Sequence, residues 1–176
     1  MGPLAVNLRA IRELCIIHPD SRIGGRWLIT VSMSTVIDST AERVWRALTD
    51  PDELVSWDEN MVAAADGVDR YPFQGQHARW RYRLGSVQLV MHDRPLEVEA
   101  PSRLRSQLRM GSMGYERTFS LQPAANGATR LSMRVIAPNS IPLLGETVDR
   151  FDVRQMSATQ VDATLKALRA WCESNP

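Results

Sequence analysis

The chain has 176 residues, 44% of them apolar, and a formal net charge of +1. That length suits one domain, which buries roughly 70% of its unfolded surface without disulfide or metal support. The composition excludes a disordered chain, and the near-zero charge excludes a bulk electrostatic pull toward nucleic acid or an anionic membrane.

No run approaches the ~20 apolar residues of a membrane span. Arg9, Arg12 and Glu13 interrupt the apolar pattern where a signal-peptide core would lie, so a cytoplasmic protein is expected. Lys166 is the single lysine beside twenty arginines, a bias that reads as GC-rich coding rather than mechanism. Cys15 and Cys172 stand near opposite ends and form neither a disulfide framework nor a zinc cluster.

In chain order, Leu4, Leu8, Ile11 and Cys15 carry helical spacing and predict a short accessory helix within 3–16. His18-Pro19-Asp20 ends it and Gly24-Gly25 makes a linker, so residues 1–26 read as an extension and 27–176 as the single domain. From Trp27 the period becomes two: Ile29, Val31, Met33, Thr35 and Ile37 share one face of a strand. Residues 38–50 turn helical, with Ser39 or Thr40 as cap. Asp50-Pro51-Asp52-Glu53 opens a second short helix that ends near Trp57, with Asp and Glu in capping-box spacing.

A meander of strands follows. Met61–Ala65 is a weak strand; a loop with Gly67, Pro72 and Gly75 comes next. Ala78, Trp80, Tyr82 and Leu84 then oppose Arg79, Arg81 and Arg83 up to a hairpin at Gly85-Ser86. Residues 87–98 make a long strand interrupted by Pro95. Leu104, Leu108 and Met110 share one face of the next, Tyr115, Phe119 and Leu121 of the one after, and Thr129, Leu131, Met133 and Val135 of the last. Asn139 to Pro142 is read as a loop leading into a long helix over 143–173, with Leu144, Val148, Phe151, Ala158, Val161, Leu165, Leu168 and Cys172 as its apolar stripe.

This order, together with "STVIDSTAERVWRALTDPDELVSWDENM" at 34–61, "EAPSRL" at 99–104, "NGATRLSMRV" at 126–135 and "VDATLKALRAWCE" at 161–173, resembles the START-like helix-grip superfamily. Within it the chain is similar to the polyketide cyclase/dehydrase and lipid-transport group, over roughly residues 27–173. The resemblance implies an α+β fold: a curved antiparallel sheet of about six to seven strands around a long C-terminal helix, with two short helices after the first strand. It also implies a cavity between sheet and helix, a feature shared by carriers, aromatases, cyclases and chaperone-like proteins, so it names the fold better than the activity.

No P-loop, GxGxxG or GxSxG motif is present, and the histidines at 18, 77 and 92 fall in separate segments; no cofactor and no metal are expected. Arg117 is the anomaly, for it lies in phase with Tyr115, Phe119 and Leu121. A buried charge has to be paired, hydrogen-bonded or in touch with cavity water. Two readings stay open: a bulge or an ion pair that makes Arg117 structural, or a guanidinium holding a carboxylate, phenolate or enolate oxygen of a ligand.

The ligand-binding set expected on this basis is Trp80, Tyr82, Arg117, Met33, Leu108, Met133, Phe151 and, at the cavity mouth, Trp57. Core packing is the competing reading for each apolar member. Met91 and Met110 are further soft lining. Candidates for catalysis are Arg117, Tyr82 and His92, the last if Pro95 shifts the register inward, with Asp93 beside it. The outward arginines at 79, 81, 83, 103, 105, 109, 130 and 134 lack interleaved aromatics and read as a solvated sheet face, not a nucleic-acid surface.

Binding of a lipophilic or aromatic small molecule, as a carrier, sensor or chaperone, is therefore the leading expectation. A polyketide aromatase/cyclase or dehydratase using the same cavity is the alternative, ranked second because no acid/base pair is clustered in the sequence. A protein-binding accessory factor using the N-terminal helix is the third. Contact with an integral membrane is not expected, and homo-oligomerisation is left open.

Overall fold

A computed structural model describes residues 22–23, 26–138, 141–143, 146–148 and 150–176, with side chains over 28–138 and 153–176. The expected helix within 3–16, Cys15 and His18 lie outside the described residues. The elements are β1 (Arg22–Ile23), β2 (Arg26–Ile37), α1 (Ala41–Thr49), α2 (Pro51–Trp57), β3 (Met61–Asp66), β4 (Ala78–Leu84), β5 (Val87–Glu99), β6 (Arg103–Met110), β7 (Met113–Pro123), β8 (Thr129–Pro138), β9 (Ile141–Leu143), β10 (Glu146–Val148) and α3 (Arg150–Ser174).

One antiparallel sheet takes the order β1-β2-β8-β7-β6-β5-β4-β3. Strands β3 to β8 are a plain meander, and β2 closes onto β8 with Val31 opposite Val135 and Met33 opposite Met133. With β1 only two residues long, this is the expected α+β helix-grip sheet of seven long strands. Alternation decides which face is wet. On β4, Ala78, Trp80 and Tyr82 are buried while Arg79, Arg81 and Arg83 are exposed.

The concave face and α3 enclose the core, where Ile29, Trp80, Leu108, Leu131, Val161 and Leu168 are at most 1% exposed. Each such side chain contributes about 1.5–3 kcal/mol relative to exposure. On the convex side Arg103 and Arg105 share Glu97 at 2.8 and 3.0 Å, and Arg79 pairs with Asp66.

Local chemistry sets the helix ends. Thr40, rather than Ser39, caps α1: its Oγ1 accepts from the Arg43 N–H at 3.2 Å. Asp50 ends α1 and caps α2, accepting from the N–H groups of Asp52 and Glu53 at 2.9 and 3.2 Å. Such a cap contributes about 1 kcal/mol. Glu53 does not complete the capping box. Its carboxylate instead accepts from Arg43 at 2.7 Å, Arg46 at 2.9 Å and the Trp171 indole at 2.8 Å, since charged donors outbid a backbone amide. Trp57 donates its indole N–H to the Ala47 carbonyl at 2.7 Å, locking α2 against α1.

The long helix begins at Arg150, later than expected. Ile141–Leu143 and Glu146–Val148, read as loop and first helical turn, instead pair as the antiparallel strands β9 and β10 with Glu146 opposite Leu143, so Val148 belongs to a strand, while Leu144 lies outside the described residues. Ala158, Val161, Leu165, Leu168 and Cys172 do form the inward stripe of α3, joined by Val153. Burial pushes the Cys172 thiol up to about 11, which keeps it protonated and inert.

Candidate functional site

The concave strands and the first half of α3 leave a cavity of about 150 Å³ between them. That is room for on the order of ten water-sized groups. On the helix side, Val153, Met156, Ser157, Gln160, Val161 and Thr164 line it, at the three- and four-residue spacing of one helix face. On the sheet side stand Tyr82 and Leu84 of β4, Met91 of β5, Met110 of β6, Met113, Tyr115 and Arg117 of β7, and Met133, Val135 and Ala137 of β8. Asp58, just past α2, completes the described lining. Five of the eight methionines are therefore on this one surface. Their unbranched thioether chains adapt to the shape of whatever they touch.

Arg117 faces inward with its side chain 13% exposed. Its Nη2 is 3.6 Å from Oδ2 of Asp93, a contact of charges too long for a hydrogen bond. The guanidinium carbon also lies 5.0 Å from the Phe119 ring centre. Asp93 is 2% exposed, and the same Oδ2 accepts from the Tyr71 hydroxyl at 2.8 Å. Tyr71 in turn meets Trp80 edge to face, with ring centres 5.3 Å apart.

Gly67 holds the loop that carries Tyr71. It takes φ 64°, and a Cβ there would collide with the His77 carbonyl oxygen. Asp93 Oδ1, Arg117 Nε and Trp80 Nε1 are buried without a hydrogen-bond partner among the described residues.

Burial governs the protonation of these groups. It pushes the Asp93 carboxyl up, more than Arg117 and Tyr71 pull it down. Burial likewise raises Asp58, against the bonds from the Asn60 backbone and the pull of Arg117. The hydroxyls of Tyr71, Tyr82 and Tyr115 are raised by burial as well, so they are neutral donors at neutral pH. Burial works against the charge on Arg117, but Asp93 and its other neighbours outweigh it and keep the cation.

The residues singled out from sequence land in different places. Tyr82, Arg117 and Met133 are on the cavity wall. Trp80 is fully buried behind Tyr71, and Leu108 is packed in the core; neither lines the described cavity. Met33 is only partly buried and packs on the core from β2 opposite the lining residue Met133, but is not itself part of that lining. Trp57 is an anchor between the short helices rather than a lining residue, and the side chain of Phe151 lies outside the described residues.

His92 is exposed on the convex face, opposite Arg79 and Arg109. The register shift at Pro95 falls between Pro95 and Glu97, past His92, which therefore keeps its outward phase. Asp93 points inward instead. Its signal was available: it is two residues from Met91 on the same strand, an acid in phase with an inward residue. Tyr71 sits on a loop and Asp58 past a helix end, where no periodicity marks them.

A curved sheet closed over a C-terminal helix, with a cavity between the two, defines a START-like helix-grip protein. The family model for polyketide cyclase / dehydrase and lipid transport matches residues 29–173, and the chain belongs to that family. Similar solved structures include a START superfamily protein from Mycobacterium smegmatis, at TM-score 0.67 and 16% identity over 84% of this chain and 99% of that one. A protein from Rhodobacter sphaeroides matches at TM-score 0.63 and 18% identity, covering 91% and 95%. One from Chromobacterium violaceum matches at TM-score 0.60 and 23% identity, covering 82% and 97%. No curated protein matches the chain in sequence. At these identities the structural likeness carries the fold and nothing of the activity.

Proposed function

We propose that the cavity binds one lipophilic or aromatic small molecule, which the protein carries, senses or holds for a partner. The observation that supports this best is the wall itself: thioether and aliphatic surface on both sides, with Arg117, Tyr82 and Tyr115 as its few polar groups on the sheet. Residues 27–176 act as the ligand-binding unit and residues 1–26 as an accessory extension. The mixed-charge convex face, where Glu97 answers two arginines, favours solvent over nucleic acid and suits a cytoplasmic setting. Native mass spectrometry of gently purified protein tests the binding reading. It should release a bound lipophile by mass; protein that is empty and takes up no apolar probe would overturn it.

A second reading, an aromatase/cyclase or dehydratase on a polyketide-like substrate, gains from one observation. Asp58 lines the cavity with its carboxyl raised by burial, near the Arg117 charge, which supplies the acid/base group that the sequence did not reveal. Turnover of a polyketide-type substrate that disappears in Asp58→Asn with the fold retained would support it.

A further inference from the structure

We infer that the cavity selects ligands whose polar group is a neutral hydroxyl, a phenol or an enol, and rejects carboxylates. This rests on the binding reading above and narrows its ligand class. An arginine in an apolar cavity ordinarily suggests an anion, held by the two parallel bonds of a fork. Here the charge of the fork is already answered. Asp93 Oδ2 is 3.6 Å from one terminal nitrogen, and Asp93 is only 2% exposed, so it does not swing away into water. Asp58 stands on the same cavity wall and is 9% exposed. An incoming carboxylate would bring a third acidic group to a single guanidinium, in a place where water screens little.

A hydroxyl meets a different situation. It donates and accepts at once. The unpaired Arg117 Nε and Asp93 Oδ1 are themselves buried, and Asp93 is not among the lining residues, so the bonds to a hydroxyl come from the wall itself. Tyr82 and Tyr115 add neutral hydroxyls to the same wall. Asp93 disqualifies a carboxylate by answering the Arg117 charge from behind the cavity wall, and Tyr71 holds it there through a 2.8 Å bond. Asp93 is accordingly a specificity-determining residue that acts through Arg117.

Three probes of similar shape separate the cases: naphthalene, 2-naphthol and 2-naphthoate, titrated into the full chain at neutral pH. The expected order is 2-naphthol tightest, with 2-naphthoate weaker by about tenfold or more, a factor typical of one mismatched polar contact. In Asp93→Asn that gap, taken relative to naphthalene, should close or reverse, because Arg117 loses its counter-charge. If Asp93→Asn does not fold, Asp58→Asn is measured in its place and should narrow the same gap. Wild-type protein that binds 2-naphthoate as well as 2-naphthol overturns the inference and leaves the binding reading intact. So does a gap unchanged in the folded variant. If none of the three probes binds, the binding reading falls and the inference with it.

Discussion

Asp58 Oδ1 accepts from the Asn60 N–H at 3.0 Å, yet its carboxyl is buried against the cavity and its proton affinity is raised. The sign of the consequence follows from linkage. In the folded state the group holds its proton to higher pH than the ordinary aspartate value of 3.8. Between those two values the folded chain binds more protons than the unfolded one. Its contribution to stability is therefore complete below the ordinary value and is lost as pH rises through the folded one. Asn keeps the acceptor for Asn60 and carries no charge. Relative to wild type, Asp58→Asn should thus gain stability as pH rises from about 3.5 toward neutrality, measured by urea unfolding across that range. A difference that stays flat or runs the other way would show that the carboxyl is solvated after all. Residues of this kind mark where reading a sequence stops. Arg117 was visible because strand phase exposes a charge on an apolar face, and Asp93 was equally open to that argument. Asp58 and Tyr71 lie where the backbone has no period, so their burial depends on how loops and helix ends settle onto the sheet.

At the scale of elements, Glu53 is the knot that ties three helices. It sits on α2 and accepts from Arg43 and Arg46 of α1 and from Trp171 of α3, while Arg43 Nε also donates to the Asn175 carbonyl at 2.5 Å. Burial alone would raise its carboxyl, but the Trp171 bond and the two arginines hold it below the usual glutamate value. Its stabilising contribution is therefore present above the ordinary value of 4.5 and is lost as pH falls through the folded one. Glu53→Gln should cost about 1.5–3 kcal/mol at neutral pH, the range for hydrogen bonds to a charged group, and less in acid. Denaturation of both proteins at about pH 7 and about pH 4 checks it, and an equal loss at both would refute the charge-based account. The order of strands, the paired short helices and the closing helix were all readable from alternation and capping. The β9–β10 pairing was not. Strands of three residues contain too few alternations to register, and Leu144, Val148 and Phe151 happen to fall at helical spacing with the stripe beyond them.

For the whole molecule, the cavity is a place where packing has been left incomplete between two otherwise dense layers. Ala137 of β8 is 4% exposed and lines it beside Met133 and Val135. In a filled core, enlarging such a residue forces neighbours off their rotamers and costs typically 1–3 kcal/mol. Here the added carbons of Ala137→Leu have space to enter. Each buried methylene contributes about 0.8 kcal/mol, so the variant should be as stable as wild type or better. Each kcal/mol gained raises Tm by about 2–4 °C at this chain length. The same carbons occupy volume that a ligand needs, and naphthalene binding should fall by about tenfold or more. A rise in Tm together with lost binding would mean that the protein forgoes stability to keep the site open, the usual relation between a binding site and its scaffold. A fall in Tm with binding retained would mean that the space beside Ala137 is packed in solution and that the ligand sits elsewhere along α3.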